Sequence, residues 1–168
     1  HDDLPNLADR ILCAPSLLAI GECGHEKACK TDWWLQEAVC RAQLRLAEES
    51  RKPVVVHCVR AYQELLQILA STACTQPIIL HGYRKGWTLA EQFIRREHIY
   101  LSLGAAILNG QMDELISQVP VHRIFLETDQ EDISIEDIYA YFCRVRKIAL
   151  TALQEQVIAN YEDVFQKQ

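Results

Sequence analysis

The run P-V-V-V-H-C-V, residues 53–59, decides how the rest of the chain reads. It is short and almost continuously apolar, with a histidine near its end. That is the pattern of a parallel strand buried on both faces. Four similar runs flank it: L-L-A-I-G-E-C at 17–23, I-I-L-H-G at 78–82, I-Y-L-S-L-G at 99–104 and R-I-F-L-E-T-D at 123–129.

Amphipathic stretches separate these runs. The first opens at a Thr31 or Asp32 cap and continues to about Ser50, with Pro53 past its end. Leu35, Val39, Ala42 and Leu46 give it an apolar stripe at helical spacing. Further helices are predicted over 61–71, 88–96, 109–118, 135–145 and 151–166, the fourth of these opened by the capping sequence S-I-E-D at Ser134. The order is β-α five times with a closing helix. Such alternation predicts a parallel α/β sheet with right-handed crossovers, in one domain over residues 1–168. An open doubly wound sheet and a partial (β/α)₈ barrel both fit that order.

The bulk properties fit a soluble domain. Of the 168 residues, 49% are apolar, and no apolar run reaches membrane-spanning length. The start, His1-Asp2-Asp3, is not a signal peptide. The seven cysteines (Cys13, Cys23, Cys29, Cys40, Cys58, Cys74 and Cys143) are odd in number and include no C-x-x-C. They read as reduced, mostly buried thiols of a cytoplasmic protein. The net charge of −6 argues against an architectural DNA binder. It argues less against a nuclease, which can grip a strand end with a few local cations.

Glu22, His57, His81 and Asp129 sit at or near the ends of four of the strand-like runs. In a parallel sheet all such ends share one edge, where α/β folds place their active sites. Two imidazoles and two carboxylates on one rim are costly without a compensating cation. The donor set suits Zn²⁺, Mn²⁺ or Mg²⁺. Such an ion activates water and polarises a phosphoryl oxygen, with one carboxylate serving as general base.

Four motifs, A-I-G-E-C-G at 19–24, P-V-V-V-H at 53–57, I-L-H-G at 79–82 and L-E-T-D at 126–129, resemble those of the TatD family of metal-dependent deoxyribonucleases. The closing A-N-Y-E-D-V-F at 159–165 is similar to the family's last helix. The resemblance implies a distorted, TIM-barrel-like (β/α)₈ metal-dependent hydrolase that binds one or two divalent ions. It implies phosphodiester hydrolysis, of the 3′-5′ deoxyribonuclease type, on DNA or a nucleotide-like substrate. Glu22 would bridge two metals, His57 and His81 would hold one, and Asp129 would ligate the other and help activate water. Glu22 and Asp129 are thus the expected catalytic residues.

The sequence departs from the family where an H-x-H pair is expected on the first strand: it begins after that motif. Five β-α units make a partial barrel, lacking on the order of 70–90 residues of a typical ~250-residue barrel. Three explanations fit: a fragment, a second chain or oligomer that completes the barrel, or an open sheet. Glu22, His57 and His81 remain as a His₂Glu set, so one ion is expected to bind well. The alternative is a catalytically degenerate relative acting as a binding or interaction module. A third reading keeps the metal but hydrolyses an amide or ester. His25, in the G-H-E that follows Cys23, reads as an exposed loop histidine. Arg60, Tyr83, Arg84 and Lys85 leave the expected catalytic edge and are candidate substrate contacts, the cations for phosphate and Tyr83 or Trp87 for base stacking. Glu131 and Asp132 read as a solvated acidic loop. Arg95, Arg96, Arg144, Arg146 and Lys147 read as surface charge.

Overall fold

The computed structural model describes residues 14 and 16–166; His1 and Cys13 lie outside the described residues. Within each unit the strands lie in sequence order. The chain divides into two compact units, one running to Ile78 and the other starting at Ile79.

The first unit contains β1 (Ile20–Glu26), α1 (Trp33–Ser50), β2 (Val54–Val59) and α2 (Tyr62–Ser71). β1 and β2 pair in parallel. β2 stands where the valine run predicts it. β1 begins and ends three residues later than the predicted 17–23, because its pairing continues through Gly24↔His57 and His25↔Cys58 to Glu26↔Val59. The expectation of continuous burial fails for both strands. Exposure alternates along them: Cys23 and His25 are buried on β1, and Val54, Val56 and Cys58 on β2. One close approach fixes the pairing. A Cβ on Gly24 would lie 1.9 Å from the His57 carbonyl oxygen, and Gly24 has φ of +140°.

Helix α1 starts after Asp32, whose side chain makes no capping bond. It ends at Arg51, whose left-handed conformation returns its N–H to the Ala47 and Glu48 carbonyls. Its deeply buried face is Cys40, Leu44, Leu46 and Ala47. Leu46 is buried as the stripe predicts, while Cys40, Leu44 and Ala47 stand in for Leu35, Val39 and Ala42. Leu35 and Val39 turn toward a cavity instead.

The second unit contains β3 (Ile78–His81), α3 (Trp87–Ile94), β4 (Ile99–Leu103), α4 (Asp113–Gln118), β5 (Ile124–Leu126), α5 (Ile135–Arg146) and α6 (Leu150–Phe165). The expected two-sided burial holds on β4, whose five residues are all buried, but on β5 only Ile124 is fully buried. The predicted helix over 109–118 is shorter, starting only at Asp113. A 3₁₀ turn at Ala105–Asn109 closes on Gly110, which has a left-handed φ of 81°, and α4 follows. Ser134 caps α5, but its hydroxyl accepts from the Glu136 N–H, one residue earlier than a capping box requires. β4 and β5 pair in parallel. Two buried polar residues brace this pairing. Arg123 donates to the Ile99 carbonyl at 2.6 and 3.0 Å. Asn160 of α6 donates to the carbonyls of Ile124, at 2.7 Å, and Val121, at 2.9 Å.

Candidate metal centre

In the first unit, Glu22 lies inside β1 rather than at its end, and it is exposed. Ile20 pairs with Val54 but Cys23 pairs with Val56, so three steps along β1 match two along β2. Glu22 falls in that bulge. A bulge releases a residue from the ladder and re-aims its side chain, and bulges are common beside active sites. His57 is half-buried, the fourth residue of β2. Glu22 and His57 line one cavity of about 560 Å³, with Leu35, Gln36, Val39 and Gln43 of α1 on its wall.

His25 belongs to the same wall, and it is not an exposed loop residue: it is 1% exposed, within β1. The strand continues past Cys23 by alternating burial, which carries position 25 inward with position 23. Neither ring nitrogen of His25 has a partner at hydrogen-bonding geometry. Its ring lies 4.8 Å from that of Trp33. Cys23 and Cys40 are buried and act as one thiol pair. Their mutual hydrogen bond holds Cys23 well above the ordinary thiol range and Cys40 below it, the nearby His25 adding to the lowering. All six described cysteines are free.

In the second unit, His81 ends β3 as expected. Asp129 does not end a strand: β5 stops at Leu126, and Asp129 sits three residues further on, 48% exposed, with a left-handed φ of 49°. The L-E-T-D segment bends away after one last backbone bond, from the Glu127 N–H to the Leu103 carbonyl. The bend brings the Asp129 carboxylate to 3.5 Å from His81 Nε2. The other ring nitrogen, Nδ1, is 2.9 Å from the Glu127 carboxylate. Glu127 also accepts from the Gly82 N–H at 2.8 Å and from the Ser102 hydroxyl.

Sequence reasoning missed Glu127. A signal for it was present: it is a second carboxylate in the same L-E-T-D motif as Asp129, directly after β5.

The donors fit a divalent cation. A histidine with one ring nitrogen on a carboxylate and the other beside a second carboxylate is the arrangement that orients imidazole ligands in metal sites. Glu22 and His57 supply the same donor types on the first unit.

The candidate substrate contacts divide. Arg60 follows β2 directly and is exposed in a left-handed conformation, φ 58°. Arg84 and Lys85 are exposed, and Arg84 lines a small cleft with Asp129 and Glu131. Tyr83 does not present its ring for stacking. It is 1% exposed, and its hydroxyl donates to the Gly86 carbonyl at 3.3 Å, which closes its own loop. An aromatic residue next to the strand end was packed inward by that loop. Glu131 and Asp132 are exposed, as expected.

A family model described as TatD related DNase matches residues 1–166. The 3'-5' RNA nuclease TATDN2 of Homo sapiens is 27% identical over 89% of this chain. A 3'-5' ssDNA/RNA exonuclease TatD of Enterobacter lignolyticus is 29% identical over 69% of it. A metal-dependent hydrolase of Buchnera aphidicola is 25% identical over 98% of it. The chain spans 20%, 46% and 69% of those proteins respectively. Two solved structures share the fold. The TatD homolog YJJV of Escherichia coli has a TM-score of 0.88 at 20% identity, covering 97% of this chain and 70% of that one. An amidohydrolase of Saccharomyces cerevisiae has a TM-score of 0.83 at 12% identity, covering 98% and 70%. Among the described residues, no helix is long and apolar enough to cross a membrane.

Proposed function

The chain belongs to the TatD related DNase family, and on that premise we propose that it is a divalent-metal-dependent hydrolase of phosphodiester bonds, a deoxyribonuclease that works from the 3′ end of a single strand. The observation that carries this reading is His81 set between two carboxylates, 2.9 Å from Glu127 and 3.5 Å from Asp129. A histidine so placed suits a cation better than a core.

Glu22, His57 and His81 each offer one ligand atom, a carboxylate oxygen and two imidazole nitrogens. In the second unit His81 would hold a Zn²⁺, Mn²⁺ or Mg²⁺ ion, with Asp129 as the acid–base group, and in the first unit Glu22 and His57 offer the same donor types. When bound, the ion supplies Lewis acidity toward a phosphoryl oxygen. The chain's own groups do the rest. Asp129, exposed and held out by its bend, takes a proton from the water as its oxygen bonds to phosphorus, and that proton passes to the alkoxide oxygen released when the P–O bond of the strand breaks. Arg84, on the cleft that Asp129 lines, meets the phosphate with a fork of N–H donors, and the exposed Arg60 and Lys85 add point charges along the strand. The six free cysteines support a cytoplasmic setting.

The test uses the purified full chain with Mg²⁺ or Mn²⁺ and single-stranded DNA and RNA labelled at either end. Release of mononucleotides from the 3′ end is expected, and Glu22→Gln and Asp129→Asn should each abolish it. Activity that survives both changes would come from a contaminating nuclease. Intact strands after long incubation with each metal would sink the proposal and favour a non-catalytic binding role.

A further inference from the structure

We propose that Glu127 is a positioning residue that fixes which nitrogen of His81 is the ligand atom. Its carboxylate accepts from the Gly82 N–H at 2.8 Å through Oε1, and from the Ser102 hydroxyl through Oε2. Both partners are rigid. One is backbone at the end of β3, and the other is a buried serine on β4. The side chain also packs on Gly104, whose added Cβ would meet Glu127 Cγ at 3.5 Å. Glu127 is therefore held at several points before it meets the imidazole.

An ionised carboxylate only accepts hydrogen bonds. Glu127 Oε2 lies 2.9 Å from His81 Nδ1, so in the neutral ring the proton belongs on Nδ1. Nε2, facing Asp129 at 3.5 Å, is then the unprotonated nitrogen. The bond also stops rotation about the last side-chain torsion, which would otherwise exchange the two nitrogens. The tautomer assignment stands on hydrogen-bond geometry within one unit. Only the identity of what Nε2 binds rests on the metal-dependent reading above.

The experiment has two arms on the full chain. The first is long-range proton–nitrogen correlation of the histidine rings in metal-free protein at about pH 8, above the ordinary histidine range. His81 should show the Nδ1–H signature in the wild type. It should lose that signature in Glu127→Gln, whose amide cannot accept from every donor that the carboxylate serves. The second arm is Zn²⁺ titration by calorimetry, where Glu127→Gln should bind about 10–100-fold more weakly. Glu127→Asp should recover part of the loss, since a carboxylate is restored. Ser102→Ala, which loosens Glu127 without touching His81, should fall between and keeps the test decisive if Glu127→Gln does not fold. An Nε2–H signature in the wild type, or an unchanged His81 signal in both the Glu127→Gln and Ser102→Ala proteins, would overturn the proposal. The Nδ1–H signature in a wild type that binds no Zn²⁺ would uphold the positioning and reject the metal reading, so the two failures are distinguishable.

Discussion

The side-chain amide of Asn160 donates to the main-chain carbonyl of Ile124 at 2.7 Å, which ties the last helix to the strand that delivers Glu127 and Asp129. The same amide reaches the Val121 carbonyl at 2.9 Å, and its oxygen accepts from Gln156 at 2.9 Å. The asparagine of the closing A-N-Y-E-D-V-F motif is thus a brace for the L-E-T-D segment, 2% exposed and bonded at both ends.

Replacing Asn160 with alanine strips a buried carbonyl, that of Ile124, and a half-buried one, that of Val121, of their donor. The expected loss is about 1–3 kcal/mol of stability, read as a lower urea midpoint with an unchanged slope. A midpoint equal to the wild type's would mean that water takes over both carbonyls at no cost.

Arg123 is the second brace. Burial pulls its pKa down from the ordinary arginine value, but a guanidinium stays charged. It donates twice to the Ile99 carbonyl and lies 5.1 Å from the centre of the Tyr100 ring. Arg123→Met should destabilise by about 2–4 kcal/mol, since the methylene stem still packs but the Ile99 carbonyl loses both of its donors. Arg123→Lys should recover less than half of this, because an ammonium cannot fork. Thermal unfolding of the two variants side by side decides it; equal midpoints would remove the planar fork from the explanation.

His25→Leu is expected to stabilise. Both ring nitrogens are buried without a partner of proper geometry, and that desolvation costs about 1–3 kcal/mol. Leucine is of similar bulk and makes no such demand. Chemical denaturation should show a higher midpoint. A lower one would show that the Cys40 thiol, a solvent molecule or an ion satisfies the ring in solution.

Burial, with the Asp163 hydrogen bond adding to it, raises the Tyr100 phenol from the ordinary value of 10.0 to about 12. Between those values the unfolded chain has released the proton and the folded chain has not. The stability tied to Tyr100 is therefore complete below pH 10.0 and is lost as pH rises through about 12. Tyr100→Phe should show a shallower fall of unfolding free energy across that window. Parallel curves for the two proteins would leave the alkaline loss to other groups.

Much of this arrangement was legible before the structure. The five apolar runs, the helices between them and the histidines at 57 and 81 all stand close to where composition and spacing put them. What the sequence did not reveal shares one physical origin. Periodicity gives the phase of an element only to within about a residue, and tertiary pairing sets the rest. The stripe on α1 moved to Cys40, Leu44 and Ala47, and β1 extended past Gly24 because β2 offered it partners. That extension buried His25. Tyr83 and Asp129 were misjudged because each sits beyond a strand end, where loop backbone rather than residue type decides direction. Glu127 went unread because its role depends on Gly82 and Ser102, both remote in sequence.

Gly24 has no room for a side chain. A saturation-mutagenesis map of this chain should mark position 24 as intolerant as any ligand, although it contributes no atom to the chemistry. Even alanine would push against the carbonyl of His57 and shift the strand that holds that imidazole. Selection at this position acts on empty space. A library built to retune metal preference should vary side chains around His57 and leave the hydrogen at Gly24 alone.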